Sequence, residues 1–148
     1  MKFSVIKKDL FDVDNDYSFA HCISLDCKMG KGIAKTFDER YPELKSSLIL
    51  YLKSNKMNYK PTVIGYRVND KRVIYNLITK PYYYNKPTYE SLKDSLIKLK
   101  ETLLKIDDRK IAMPKIGCGL DRLKWEKVEL IIKEVFDDMD IDILVCEL

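Results

Sequence analysis

Strand-like segments alternate with helix-like segments along this chain, and the alternation limits the folds that it can adopt. Apolar residues that recur every three or four positions predict helices at 32–41, at 44–54, from Thr88 onward, and at 125–138. Strands are predicted at 3–6, 17–24, 110–114 and 140–148, with a hairpin formed by 62–68 and 72–80. Strands joined by helices form sheets that are covered on both faces. We therefore predict an α/β protein with a central mixed sheet.

The composition fits one globular domain that spans residues 1–148. Hydrophobic residues make up 46% of the chain, which is too apolar for a disordered protein. The net charge is only +4 and the lysines are dispersed, unlike the basic stripe of a dedicated nucleic-acid binder. Near the start, lysines and an aspartate replace the apolar core of a signal peptide, and no run is long enough to cross a bilayer. We expect a cytoplasmic or nuclear monomer without a membrane partner.

The cysteines and the single histidine lack the spacing of a metal site. No two of Cys22, Cys27, Cys118 and Cys146 have the two-residue gap of a zinc hook, and His21 adjoins a cysteine. We predict no bound metal, and free thiols that pack as small apolar side chains.

Two glycine-containing loops each follow a predicted strand and lead into a predicted helix. They are CISLDCKMGKGIA at 22–34 and PKIGCGLDRL at 114–123. In open α/β sheets ligands bind beyond the carboxyl ends of the strands, and backbone N–H groups there can hold a diphosphate. Neither loop has the Walker or Rossmann spacing. The pattern alone leaves two alternatives open: plain connections, or two loops that face each other across a ligand.

Six segments match one known family in sequence and in order. They are KDLF (8–11), AHCISLDCKMGKGIA (20–34), YNLITK (75–80), KPTYESLKDSL (86–96), AMPKIGCGLDRLKWEKV (112–128) and KEVF (133–136). In these segments the chain resembles the macrodomain family, in the branch of the terminal ADP-ribose protein glycohydrolase. The resemblance implies a three-layer α/β/α fold with a cleft for ADP-ribose and no cofactor.

The resemblance also implies a reaction, the removal of mono-ADP-ribose from glutamate or aspartate side chains of proteins, with O-acetyl-ADP-ribose as a further substrate. Its catalytic residues match Lys80 and Asp121. An uncharged lysine amine can attack the sugar carbon to give a covalent lysyl–ADP-ribose intermediate, and an aspartate can move the protons. Without the resemblance, Lys80 would be an exposed lysine at a strand end, and Asp121 would cap the helix that begins at Trp125.

The resemblance further supplies a set of residues that contact ADP-ribose. Asp9 is expected at the adenine, although Lys8 replaces the glycine that often precedes it in the family. From the residues alone, His21 is a packed, hydrogen-bonded core histidine rather than a base, and Cys118 has a backbone role rather than that of a nucleophile. Ser24 is equally well a strand-end hydroxyl or a contact to the ligand. The full set is Asp9, Leu10, His21, Ser24, Met29, Gly30, Gly32, Ile33, Thr79, Pro114, Ile116, Gly117, Cys118, Gly119 and Leu120.

Two other functions remain open at this point. Related macrodomains remove ADP-ribose from DNA bases, so modified DNA is an alternative substrate. A reader that binds ADP-ribose without turnover is the second alternative, but a reader does not need the lysine. The three tyrosines at 82–84 have no counterpart in the family pattern, and we hypothesise that one of them stacks on the modified partner.

Overall fold

A six-stranded mixed sheet runs through the centre of the protein, whose computed structural model describes residues 1–148. Its spatial order is β1-β6-β5-β2-β4-β3. All neighbouring strands are parallel except β3 and β4, which form the predicted antiparallel hairpin. The strands are β1 (Lys2–Lys7), β2 (Ser18–Ser24), β3 (Thr62–Arg67), β4 (Val73–Lys80), β5 (Lys110–Met113) and β6 (Asp142–Glu147).

Helices cover both faces of this sheet, so the prediction of a three-layer α/β/α fold is confirmed. The helices are α1 (Gly32–Arg40), α2 (Leu44–Ser54), α3 (Tyr89–Ile106) and α4 (Trp125–Phe136), and a short 3-10 helix covers Leu10–Asp12. The helices α3 and α4 form one apolar core with the sheet, and α1 and α2 form the other. None of the helices is long and apolar enough to cross a membrane.

The ends of the elements follow from local chemistry. Thr88 caps α3 rather than starting it, because its hydroxyl accepts a hydrogen bond from the Ser91 amide while the Ser91 hydroxyl accepts one from the Thr88 amide. The helix ends at Asp107, which adopts a left-handed conformation. The strand predicted at 110–114 ends at Met113, since Pro114 has no N–H to donate to a neighbouring strand.

The strands β2 and β5 diverge, and their divergence opens the edge of the sheet where both glycine loops begin. Ladder pairing joins them only at Ser18 with Ile111 and at Phe19 with Ala112. Beyond that point β2 continues to Ser24 along β4, whereas β5 ends at Met113 and its chain turns away. The carboxyl ends of β2, β4 and β5 thus surround a crevice at the position where parallel sheets bind ligands.

Candidate active site

Lys80 and Asp121 form an ion pair at this edge of the sheet. The Lys80 Nζ lies 2.6 Å from the Asp121 Oδ1, and the two side chains are only 13% and 16% exposed. Lys80 is the last residue of β4, and Asp121 belongs to the loop that follows β5. The structure therefore brings together the two residues predicted to be catalytic, which are 41 positions apart in the sequence.

The backbone of Lys80 is held in place by the loop that follows β2. The Leu25 amide donates to the Lys80 carbonyl at 3.0 Å, and the Asp26 amide donates to the Pro81 carbonyl at 3.2 Å. The pairing of β2 with β4 shifts register between Ile23 and Ser24, so Ser24 lies beside Lys80. Fixing the main chain in this way limits the positions that the ammonium group can reach.

The loop after β5 exposes backbone donors because of two left-handed residues. Gly117 has φ +71°, and Arg122 has φ +61°. One bond, from the Leu123 amide to the Gly117 carbonyl at 2.8 Å, closes the loop. The amides of Ile116, Gly117, Gly119, Leu120 and Asp121 donate no hydrogen bond within the protein. Successive free N–H groups of this kind form an anion-binding concavity.

The loop after β2 also has left-handed residues and backbone amides without a partner. Cys27, Met29 and Gly32 all have positive φ, at 54°, 48° and 62°. Positive φ is uncommon for cysteine and methionine, and such conformations concentrate at functional sites. The amides of residues 28–33 have no partner within the chain, and α1 begins at Gly32 with its positive dipole end.

The two glycine loops face each other, as their positions in the sequence predict. A Cβ placed on Gly32 would lie 3.5 Å from the Leu120 Cδ1, so the loops are in van der Waals reach at this point. Free amides on both loops therefore border one crevice, with the Lys80–Asp121 pair beside it. Such an arrangement can bind an anionic ligand without a metal ion. The structure contains no cluster of three or more His, Cys, Asp or Glu side chains suited to holding a metal.

The remaining residues of the predicted ligand set differ in exposure. Asp9 is half-buried, and its Oδ1 accepts from the Phe11 amide at 3.0 Å and so caps the 3-10 helix. The exposed members are Gly30, Gly32, Gly119 and Leu120, and the half-buried ones are Ile33, Pro114, Gly117 and Cys118. The buried members, which shape the crevice from below, are Leu10, Ser24, Met29, Thr79 and Ile116.

The side chain of His21 lies in the core, so only its backbone is left to contact a ligand as the predicted ligand set requires. Its side chain is 0% exposed and stacks on Phe37 with ring centroids 4.0 Å apart. The Asn76 amide nitrogen donates to two carbonyls, which leaves the Asn76 Oδ1 to accept from the His21 Nε2 at 2.7 Å. Burial lowers the pKa of His21 to about 4, so the ring is neutral at physiological pH. A side chain enclosed in this way cannot contact a ligand in the crevice.

Neither cysteine near the ion pair is suited to act as a nucleophile. Burial raises the pKa of Cys22 to about 12, and the Asp121 carboxylate adds to the effect. Burial also raises the pKa of Cys118. Both thiols therefore stay protonated, which agrees with the prediction that they act as small apolar groups.

Asp121 does not cap α4, because that helix begins after Lys124 without a side-chain cap.

Sequence reasoning missed two residues that support the site. Asp26 accepts from the Ser24 hydroxyl and, at 3.0 Å, from the Tyr83 amide, so it ties the loop after β4 to the loop after β2. Lys86 donates to the Leu120 carbonyl at 2.7 Å. The position of Asp26, a carboxylate directly after a predicted strand, could have indicated that it belongs to the site. No signal existed for Lys86, because its partner lies 34 residues away.

Comparisons with known proteins agree with this geometry. The family model described as Macro domain matches residues 21–132. The human protein named ADP-ribose glycohydrolase OARD1 is 42% identical over 144 residues, which cover 97% of this chain and 90% of that protein. The Mycobacterium tuberculosis protein named DNA ADP-ribosyl glycohydrolase is 26% identical over 93% of this chain and 40% of its own length.

A solved structure shows the same fold at lower sequence identity. The macrodomain of Thermus aquaticus DarG superposes with a TM-score of 0.86 at 20% identity, covering 99% of this chain and 98% of that one. With the family model matching most of the sequence and the human relative matching nearly all of it, the chain belongs to the macrodomain family.

Proposed function

We propose that this protein is an ADP-ribosyl hydrolase that removes mono-ADP-ribose from glutamate and aspartate side chains of proteins. The observation that carries the proposal is the Lys80–Asp121 pair, with 2.6 Å between its charged atoms, beside a crevice bordered by free backbone amides. The 42% identity to a protein named ADP-ribose glycohydrolase supports hydrolysis of an ADP-ribose bond. The acidic acceptor and the lysine mechanism are what the resemblance to the terminal ADP-ribose protein glycohydrolase branch implies, and the residue types of the pair are consistent with them.

ADP-ribose would lie along the crevice with its diphosphate between the two glycine loops. The unbonded amides of residues 28–33 and of the loop after β5 would donate to the phosphate oxygens. Asp9, near the carboxyl end of β1, would meet the adenine. This direction leaves the distal ribose at Lys80 and Asp121, so binding of the remote part of the substrate positions the reacting carbon.

The reaction then needs one proton acceptor and one nucleophile. Asp121 takes a proton from the Lys80 ammonium, to which it is already hydrogen-bonded, and the free amine attacks the anomeric carbon of the distal ribose. A C–N bond forms, the ester C–O bond breaks, and the glutamate or aspartate leaves as a carboxylate. Water then adds to the same carbon as the C–N bond breaks, its proton passes to the departing Lys80 amine, and Asp121 releases the proton that it holds to the solvent, which restores the ion pair.

A peptide that carries ADP-ribose on one glutamate provides the test. We expect the wild-type protein to release ADP-ribose, and Lys80→Ala to lower kcat/KM by about a thousandfold. The matched control is Lys110→Ala, at the amino-terminal end of β5, which removes a lysine that pairs with Asp16 at 2.6 Å instead. Wild-type rates in Lys80→Ala would refute the lysine mechanism.

A trapping experiment locates the intermediate directly. The wild-type protein is mixed with the modified peptide and quenched during turnover, because Asp121 is needed to free the Lys80 amine and so to form the adduct. Peptide mass spectrometry after digestion should find the ADP-ribose mass on Lys80. An adduct on any other residue would contradict the assignment.

Removal of ADP-ribose from DNA is the second candidate function, favoured by the 26% identity to the protein named DNA ADP-ribosyl glycohydrolase. An ADP-ribosylated oligonucleotide in the same substrate panel separates the two functions, and O-acetyl-ADP-ribose tests deacylation. A reader without turnover would bind ADP-ribose in calorimetry and release nothing from any of the three substrates.

A further inference from the structure

A groove that includes Lys80 in its lining lies between the hairpin of β3 and β4 and the amino-terminal turns of α3. Its volume is about 380 Å³. The lining includes Tyr59, Lys80, Pro81, Glu90, Ser91 and Asp94. We call it the α3 groove. Because Lys80 also carries the ion pair with Asp121, the α3 groove and the ADP-ribose crevice meet at the proposed nucleophile.

Two unpaired carboxylates dominate the charge of the α3 groove. Glu90 and Asp94 are exposed, stand one helical turn apart on α3, and form no ion pair. Some other exposed acids do have a partner. The Glu134 carboxylate of α4, for example, lies 3.0 Å from the Lys93 ammonium of α3. Like charges four positions apart on a helix repel each other, and only Glu90, in the first turn of α3, is also stabilised by the helix dipole.

The lysines of the α3 groove do not neutralise this pair. The Lys80 ammonium bonds to Asp121, and the Lys86 ammonium donates to the Leu120 carbonyl at 2.7 Å. Both ammonium groups point to the loop after β5, and only the Lys80 charge is compensated by a carboxylate, so the two acids outnumber the one uncompensated cation, Lys86, in the α3 groove.

A buried hydroxyl without a partner supplies an independent sign of a ligand. Thr79 lines the α3 groove directly before Lys80, is 1% exposed, and its Oγ1 has no nitrogen or oxygen partner within the protein, the Cys22 thiol beside it being only a weak hydrogen-bonding group. Buried polar atoms nearly always have a hydrogen-bond partner. A buried hydroxyl that lacks one, next to a proposed nucleophile, therefore indicates that a bound ligand supplies the partner. Tyr59 adds a phenolic hydroxyl to the lining, where burial raises its pKa and a hydrogen bond with Ser91 lowers it.

From these observations we infer that the α3 groove receives the protein segment that carries the ADP-ribosylated residue, and that it selects lysine or arginine next to that residue. The inference rests on the proposed function and names the acceptor class for it. The peptide backbone would meet Tyr59 and the Thr79 hydroxyl, and the basic side chain would meet Glu90 and Asp94. The same carboxylates repel the phosphates of a nucleic acid, so a DNA acceptor is disfavoured here.

A set of mono-ADP-ribosylated glutamyl peptides tests the inference. One lysine, alanine or glutamate is scanned over about four positions on each side of the modified glutamate, within reach of an extended segment. We expect the best lysine peptide to exceed its glutamate counterpart in kcat/KM by about three- to tenfold, with the difference shrinking at high salt.

Charge variants of the protein show whether the two carboxylates cause the preference. Glu90→Gln/Asp94→Asn should bring the lysine-to-glutamate ratio near unity, and Glu90→Lys/Asp94→Lys should invert it. The control Glu101→Gln/Asp140→Asn removes two exposed acids away from the α3 groove and should keep the wild-type ratio. Because each ratio is measured within one variant, partial loss of folding does not alter it, and thermal unfolding verifies that each variant folds.

Each failure has a distinct signature. Equal cleavage of all peptides by the wild-type protein overturns the role of the α3 groove and leaves the proposed function intact. If the wild-type protein binds ADP-ribose but cleaves none of the peptides, the proposed function itself is refuted. Faster cleavage of an ADP-ribosylated oligonucleotide than of every peptide assigns the acceptor to DNA and overturns the inference.

Discussion

Lys80 at the end of β4 and Asp121 in the loop after β5 are joined by an Nζ–Oδ1 contact of 2.6 Å, with more than four-fifths of each side chain removed from water. This contact connects the two halves of the sheet, because β4 lies on one side of β2 and β5 on the other. The same contact supplies the chemistry we propose, so its contributions to stability and to activity can be separated by mutation.

Replacing both members of the pair should restore stability without restoring activity. Lys80→Met alone leaves the Asp121 carboxylate largely buried and unpaired, at a cost of about 2 kcal/mol in the free energy of unfolding. Lys80→Met/Asp121→Leu removes both charges and should recover most of that loss, while hydrolysis remains absent. Urea unfolding and a hydrolysis assay measure the two effects, and a double variant no more stable than the single one would contradict the prediction.

Gly117 should be far less tolerant of alanine than Gly119 in the same loop. Gly117 has φ +71°, and an added Cβ would lie 3.0 Å from the Leu123 Cδ1. We expect Gly117→Ala to cost about 1–2 kcal/mol of stability. Gly119→Ala is the matched control, because nothing lies within 4 Å of its added Cβ. It should change stability by less than about 0.5 kcal/mol. Equal losses in the two variants would count against the loop conformation.

The burial of His21 predicts a loss of stability in mild acid. Its pKa is about 4 in the folded protein against 6.5 for an exposed histidine, so the unfolded chain binds the proton first. The stabilisation from neutral His21 is complete above pH 6.5 and is lost as the pH falls toward 4. It amounts to about 3 kcal/mol.

Two measurements check the effect of His21. Because the chain has one histidine, its NMR signal is unambiguous and should titrate near pH 4. His21→Gln keeps a donor for Asn76, and its urea unfolding energy should fall less steeply than that of the wild type between pH 6.5 and 4. A normal histidine titration in the folded protein would show that the ring is exposed.

The tyrosines at 82 and 84 should matter for the modified partner and little for stability. Their rings stack with centroids 5.5 Å apart and remain 52% and 67% exposed. Tyr82→Ala/Tyr84→Ala should raise KM for an ADP-ribosylated protein about threefold to tenfold. The free energy of unfolding should change by less than about 1 kcal/mol. Tyr51→Ala, in a residue that is 48% exposed on α2, is the control. An unchanged KM would show that Tyr82 and Tyr84 do not contact the modified partner.

The sequence by itself determined the order of strands and helices and, through the motifs that it shares with a known family, the pair that we propose to be catalytic. Local periodicity encodes which side of an element is buried, and so α3 could be read from Leu92, Leu96, Leu99 and Leu103. Glycines after two strands likewise predicted loops that face each other, since the carboxyl ends of parallel strands share one edge of a sheet.

Only the tertiary structure decided which of these residues a ligand can reach. His21 and Ser24 belong to the same motif, yet His21 is enclosed by Phe37 and Asn76, which come from α1 and β4. The α3 groove depends in the same way on Tyr59 and Asp94 approaching across a distance of 35 positions in the chain. The exposure of a side chain and its ion-pair partners depend on residues that are distant in sequence. The periodicity of apolar residues within one segment therefore cannot predict them.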